Sequence, residues 1–218
     1  MITIHAAYNY PPALAGILRD FRVVWAAEEA GLTYDLRWFD IMAGEQRGAA
    51  NRAVNPFGKI PALQDGDFRL FESGAIIAYL FDKAGRRRGD AHQEAKLAQW
   101  CFAAVNTVEQ PCAEIFQWDV LWRERPGRTE RRAELVDIAR SRLAELDGAL
   151  GARDWLVGDD LSAADILMAT SIGFARSEPA VLDRAPRVAA WLQRCAARPA
   201  HARALTVLSR GPVKASAA

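Results

Sequence analysis

The stretch Asn55 to Leu80, NPFGKIPALQDGDFRLFESGAIIAYL, gathers three features that together could hold a small molecule with an α-amino-acid end. The first is Ile60-Pro61. Proline cannot donate a ladder hydrogen bond, so a proline opening a strand marks a special backbone position. A cis bond fits there, because cis bonds are nearly confined to proline and sit in tight turns. It would leave the N–H and C=O of Ile60 at a sheet edge, where an extended peptide can pair with them. The second is Asp65-Gly66, a hairpin signal between apolar runs, since both turn residues need positive φ. The third is Glu72-Ser73, which precedes the helical run GAIIAYLF. A helix N-terminus offers unpaired N–H groups and partial positive charge to a carboxylate. Ser73 adds a hydroxyl donor and Glu72 a negative charge for an ammonium, so the pair matches both charges of a zwitterion. Taken singly, Ser73 could merely cap a helix and Pro61 merely shape a loop; their order and spacing favour a site.

The elements that must position these groups read as follows. ITIHA is a short apolar run, a buried strand. Phe21 to Ala30 reads as a helix with Asp20 as N-cap and Gly31 as terminator. Thr33 to Asp40 alternates at period two and predicts a strand. The hairpin and the helix from Ser73 follow. The order β-α-β, then β-β-α, predicts a thioredoxin-like sheet with helices on it. After Phe81 the strand signals vanish, and DKAGRRRGDA reads as a linker. Arg86 to Arg88 there is a solvated connector rather than a nucleic-acid patch.

From residue 91 the pattern is helical. Ala91 to Arg123 predicts a long helix kinked at Pro111, and Pro126-Gly127 is a break. Thr129 to Leu150 is an amphipathic helix rich in Glu and Arg. Ser162 and Asp165 form a capping box with Asp in place of Glu, and Leu161 with Ile166 a hydrophobic staple. That folding role outweighs a catalytic Ser–Asp pair. Pro186 to Arg198 is another helix, stopped by Pro199.

Asn55-Pro56, Gly58-Lys59, Ile60-Pro61 and Glu72-Ser73 stand in an order that resembles the glutathione-binding half of the glutathione S-transferase family. The resemblance extends over nearly the whole chain. It is most specific at residues 55–80 and moderate around 158–166. It implies an α/β plus all-α fold, with a thioredoxin-like domain over residues 1–83, a linker at 84–90, and a helical bundle domain over 91–218. By the same resemblance, Ile60 would pair with the cysteinyl backbone of glutathione. Glu72 and Ser73 would hold its γ-glutamyl end, and Lys59 would lie near its glycine end. The implied activity is addition of the glutathione thiolate to a small apolar electrophile, as in detoxification. Peroxide reduction, isomerisation and ether cleavage use the same thiolate, and a non-catalytic glutathione-binding module is a further alternative. The family is mostly homodimeric, which implies a C2 dimer.

A thiol with a pKa of about 8.5 is only slightly ionised at neutral pH, so a transferase must stabilise the thiolate with a hydrogen-bond donor and a helix N-terminus. In the family that donor is a Tyr, Ser or Cys at the end of the first strand or the start of the first helix. Counting back from Gly31, the Ser or Cys region falls on Ile17-Leu18-Arg19-Asp20, which supplies no hydroxyl or thiol. The loop from Tyr8 to Asp20 is also long and holds Pro11-Pro12. The replacement donors are Tyr8, Asn9 and Tyr10. Packing of the two phenols against the loop is the competing reading for each. The lack of a cysteine here disfavours enzyme thiol exchange. The electrophile site is expected between the domains, with Trp100, Thr107, Ile115 and Trp118 as candidates; Trp122 and Trp155 read as packing residues.

Composition excludes other classes. At 218 residues the chain can bury a substantial core. A net charge of +1 gives no field for nucleic acid or an anionic membrane. No apolar run approaches the roughly 20 residues of a membrane span, and MITIHAAYNYPP is no secretory signal, so a cytoplasmic protein is expected. Cys101, Cys112 and Cys195 form no CxxC, so no metal site is expected. On one helix Cys101 and Cys112 would stand about 16 Å apart, too far for a disulfide. All three read as core residues.

Overall fold

The computed structural model describes residues 1–86 and 89–212. Its sheet is built on β1, Ile2–Tyr8, which is buried along most of its length. β1 pairs in parallel with β2, Tyr34–Asp40, and antiparallel with β3, Ala62–Asp65. β3 in turn pairs antiparallel with β4, Phe68–Phe71, giving the order β2-β1-β3-β4. This mixed sheet with its helices is the thioredoxin-like domain that the element order predicts. The hairpin differs from expectation by one residue. Asp65 pairs with Phe68, so the turn residues are Gly66-Asp67, with positive φ at Gly66 only. Glycine at the first turn position meets that need without a Cβ clash. Asp65 is instead a strand residue whose carboxylate accepts from Tyr79 Oη at 2.7 Å and pairs with Lys83 Nζ at 2.6 Å.

α1 runs Arg19–Ala30 and ends at Gly31 in the left-handed region, as expected. Its start lies earlier than predicted. Leu18 is the N-cap, and Asp20 sits inside the first turn, buried. The reason is tertiary. Beyond the β3 ladder, the Ala7 N–H of β1 lacks a strand partner, and Asp20 Oδ2 accepts from it at 2.8 Å. A short helix, α2, Ala49–Arg52, leads into the loop before β3. α3 runs Ser73–Lys83 and packs on α1.

The second compact unit spans Gly89–Ala197. α4, Ala91–Ala103, and α5, Glu109–Val120, are separated by a π-helical turn, Ala104–Val108. The irregularity falls one turn before Pro111, where a kink was expected; Pro111 itself lies within α5, and its ring cannot donate and crowds the carbonyl four residues back, that of Thr107 in the π turn. α6, Arg128–Leu150, is tied to α5 by Arg131–Glu114 and Arg132–Asp119 pairs at 2.9 and 2.8 Å. α7, Ala163–Ile172, is buried throughout and carries the predicted capping box. Asp165 also accepts from Leu156 N at 2.9 Å and Trp191 Nε1 at 3.0 Å, which pins α7 to α8, Pro186–Ala196.

Pro199 does more than stop a helix. It sits at the first position of α9, Pro199–Arg210, where its missing N–H costs nothing. In residue order α9 follows the helical domain, but it groups with the sheet unit and packs on α1. His201 meets the Phe21 and Trp25 rings edge-on, and Arg198 and Arg203 pair with Glu29 and Glu28. Arg87 and Arg88 of the expected linker lie outside the described residues. The cysteines are unbridged; Cys112 and Cys195 are buried and Cys101 half-buried. Burial pushes the Cys101 thiol up to about 11 and the Cys112 thiol up to about 12.

Candidate functional site

Strand register brings the predicted groups to one end of the sheet. β3 pairs with β1 as far as His5↔Ala62, and with β4 as far as Ala62↔Phe71. Tyr8 at the end of β1, Ile60-Pro61 just before β3, and Glu72-Ser73 just after β4 therefore share that end. The Ile60–Pro61 bond is cis. Both ladders begin at Ala62, so the N–H and C=O of Ile60 stand outside them.

The start of α3 gathers unpaired donors and positive charge, which an anion can accept. Glu72 is its N-cap and makes no side-chain cap bond. The Ile76 N–H reaches back to the Glu72 carbonyl, while the N–H groups of Ser73, Gly74 and Ala75 precede the intrahelical ladder. Ser73 is buried and its Oγ accepts from Arg22 Nη1 at 3.4 Å, leaving the hydroxyl hydrogen for another acceptor. Arg22 is itself buried and brings a full positive charge to this helix start. Glu72 holds a φ of 70°, a region that costs a non-glycine residue about 1–3 kcal/mol and clusters at ligand sites. Its side chain is exposed. A carboxylate at the helix start and an ammonium at Glu72 are the complement of this geometry.

Lys59 has an exposed side chain and a tightly held carbonyl. Asn51 Nδ2 and Asn55 Nδ2 both donate to that oxygen at 3.0 Å. Asn51 Nδ2 also donates to the Gln46 carbonyl at 2.8 Å. Its Oδ1 lies 2.7 Å from His5 Nδ1. Burial lowers the His5 pKa, so the ring is neutral at physiological pH.

Tyr8 and Tyr10 are both half-buried at the β1 end. Burial, then the Glu45 and Asp40 carboxylates, raises the Tyr8 phenol pKa. Burial, then Asp20, raises that of Tyr10. Both phenols therefore remain O–H donors at neutral pH. Asn9 adopts a φ of 57° and donates to Asp40 Oδ2 at 2.8 Å, which commits one of its amide hydrogens away from a ligand. In the region where the family places a Ser or Cys, Ile17 is buried and Asp20 is the buried clamp on Ala7.

The electrophile candidates lie in the second unit. Trp100 and Trp118 are half-buried, and Thr107 is exposed within the π turn. Ile115 is fully buried and has no surface to offer a ligand; it is a core residue. Trp118 packs edge-on against Trp122 at 5.5 Å, and its Nε1 donates to Glu114 at 3.4 Å. Among the described residues, no helix is long and apolar enough to cross a membrane, and no group of three or more His, Cys, Asp or Glu could hold a metal ion.

Sequence reasoning missed Arg22, His5 and Asn51. Only Arg22 left a trace, as a lone charge inside the apolar run FRVVWAA.

Known proteins share this fold. Residues 21–83 match the glutathione S-transferase N-terminal domain and residues 113–199 the C-terminal domain. Glutathione S-transferase 4 of Zea mays is 33% identical over 187 residues, covering 82% of this chain and 83% of its own length. The crystal structure of glutathione transferase F7 from Populus trichocarpa superposes with a TM-score of 0.81 at 25% identity, covering 95% and 99% of the two chains. A glutathione transferase family member from Pseudomonas fluorescens, solved with two glutathione bound, gives 0.81 at 26% identity over 94% and 92%. With both family domains matched in order and a relative alike over most of both chains, this chain belongs to the glutathione S-transferase family.

Proposed function

We propose that the chain is a glutathione transferase that seats glutathione across the sheet end built by Ile60-Pro61 and Glu72-Ser73. The carrying observation is the start of α3, where an uncapped helix N-terminus, buried Ser73 and buried Arg22 converge. The γ-glutamyl carboxylate takes the Ser73 hydroxyl and the first α3 N–H groups, and its ammonium takes Glu72. The cysteinyl backbone pairs with Ile60, and Lys59 faces the glycine end. Tyr8 or Tyr10 donates its phenol O–H to the sulfur. The thiol proton leaves to solvent, and the thiolate forms a carbon–sulfur bond with a small apolar electrophile as the leaving group departs with the bonding pair. Trp100, Thr107 and Trp118 supply surface for that electrophile.

The test is a glutathione titration followed by thiolate absorbance across pH, on wild type and the Tyr8→Phe and Tyr10→Phe variants. A bound thiol pKa well below the free value, raised by one substitution, identifies the donor. A bound thiol with an unshifted pKa refutes the activating role. The chain acts as a C2 homodimer in the cytoplasm, supported by family precedent. A sedimentation mass of the 24.0 kDa monomer, or recovery in a membrane fraction, would contradict this.

A further inference from the structure

The Lys59 carbonyl is held by two side-chain amides, and the consequence falls on its neighbour. The chain's described cis bond is Ile60–Pro61, so the Lys59–Ile60 peptide is trans. In a trans peptide, C=O and N–H point in opposite directions within one plane. Asn51 Nδ2 and Asn55 Nδ2, each at 3.0 Å, occupy both lone pairs of the Lys59 oxygen. They fix that plane, and so aim the Ile60 N–H away from the two asparagines.

Asn51 is itself over-determined. Its Nδ2 faces two carbonyl oxygens, Gln46 O and Lys59 O, which can only accept, so this atom must be the amide nitrogen. Its Oδ1 therefore faces His5 Nδ1 at 2.7 Å, and that ring nitrogen must carry the hydrogen. His5 and Asn51 are both 0% exposed, so each lost bond would leave a buried polar group unpaired. His5 is anchored in the central strand and packs against Phe39 at 5.0 Å. The chain of contacts runs from β1 through the His5 ring and Asn51 to the Lys59 carbonyl.

We propose that His5 and Asn51, with Asn55, are positioning residues that aim the Ile60 N–H at the cysteinyl carbonyl of glutathione. This rests on the glutathione site proposed above. Neither His5 nor Asn51 needs to touch the ligand. His5→Phe keeps a ring of similar size but removes the donor. His5→Asn replaces Nδ1–H with an amide N–H in nearly the same place.

The experiment measures the glutathione Kd by calorimetry, the KM for glutathione and for a chlorodinitrobenzene acceptor, and the thermal midpoint, for wild type, Asn51→Leu, His5→Phe and His5→Asn. Asn51→Leu and His5→Phe are expected to raise the glutathione Kd and KM about tenfold, the worth of one buried hydrogen bond. The acceptor KM should stay within about twofold, and His5→Asn should bind within about twofold of wild type. A purely structural role would lower the midpoint without splitting the two KM values. If Asn51→Leu does not fold, the His5→Phe and His5→Asn pair decides. Wild-type binding with His5→Phe equal to wild type, or with His5→Asn no better than His5→Phe, overturns the clamp alone. No binding by wild type overturns the glutathione site, and the clamp with it.

Discussion

Asp20 should make the stability of this protein fall as pH rises through the weakly acid range. The carboxylate is buried and its nearest partners are dipoles, the Ala7 N–H at 2.8 Å and the Phe21 N–H at 3.0 Å, with the Tyr10 phenol nearby. Burial outweighs these hydrogen bonds and pushes its pKa from 3.8 up to about 6. The folded state therefore holds the proton more tightly than the unfolded chain. Its contribution is fully present below the unfolded value and is lost as pH rises through the folded one. At about 1.36 kcal/mol per unit, the total is about 3 kcal/mol, of which about 2 kcal/mol falls between about pH 4.5 and pH 7.5. Asp20→Asn removes the titration but keeps an amide oxygen for the Ala7 N–H. Urea unfolding of wild type and variant across that range isolates Asp20, because every other titrating group is common to both. Wild type should lose about 2 kcal/mol relative to the variant on going from acid to neutral pH. Parallel curves would refute the reasoning and mean that the N–H groups fully compensate burial.

Further outcomes follow from the same geometry. Ser73→Ala should weaken glutathione binding by roughly 1–3 kcal/mol in calorimetry, the cost of a lost partner for a charged group; an unchanged Kd would remove the helix start from the site. Asp165→Ala should cost roughly 3–5 kcal/mol of unfolding free energy in urea, because Leu156 N, Ser162 N, Ser162 Oγ and Trp191 Nε1 all lose one acceptor. Ser162→Ala, which touches only the cap, should cost about 1 kcal/mol. Equal losses for these two variants would show that Asp165 does no more than cap α7.

Much of the site was legible because its parts are local. Pro61, Glu72 and Ser73 impose their backbone roles through neighbours a few residues away, and the family order at residues 55–80 points to the same chemistry. What binds Asn51 was not legible, since His5 lies 46 residues away in the chain. Asp20 misled for the same reason. Its type and place fit an N-cap, but its partner is a strand N–H that only the end of the β3 ladder leaves unpaired.

The amino-acid order determined the ends of β2, α1, α6 and α8 within a residue or two, because turns, caps and prolines act over short range; α2 and α9 it did not announce. It determined the uncapped start of α3 by placing Glu72-Ser73 before an apolar helical run. The tertiary structure decided the rest. It shifted the hairpin turn to Gly66-Asp67 because cross-strand register sets which residue closes the ladder. It placed α9 on α1, where Glu28, Glu29, Phe21 and Trp25 offer charge and aromatic faces to Arg203, Arg198 and His201. It gathered β1, the Lys59 carbonyl and α3 at one end of the sheet. Such contacts join residues far apart in the chain, and they have no local propensity to announce them; only burial and hydrogen-bond satisfaction in the folded protein select them.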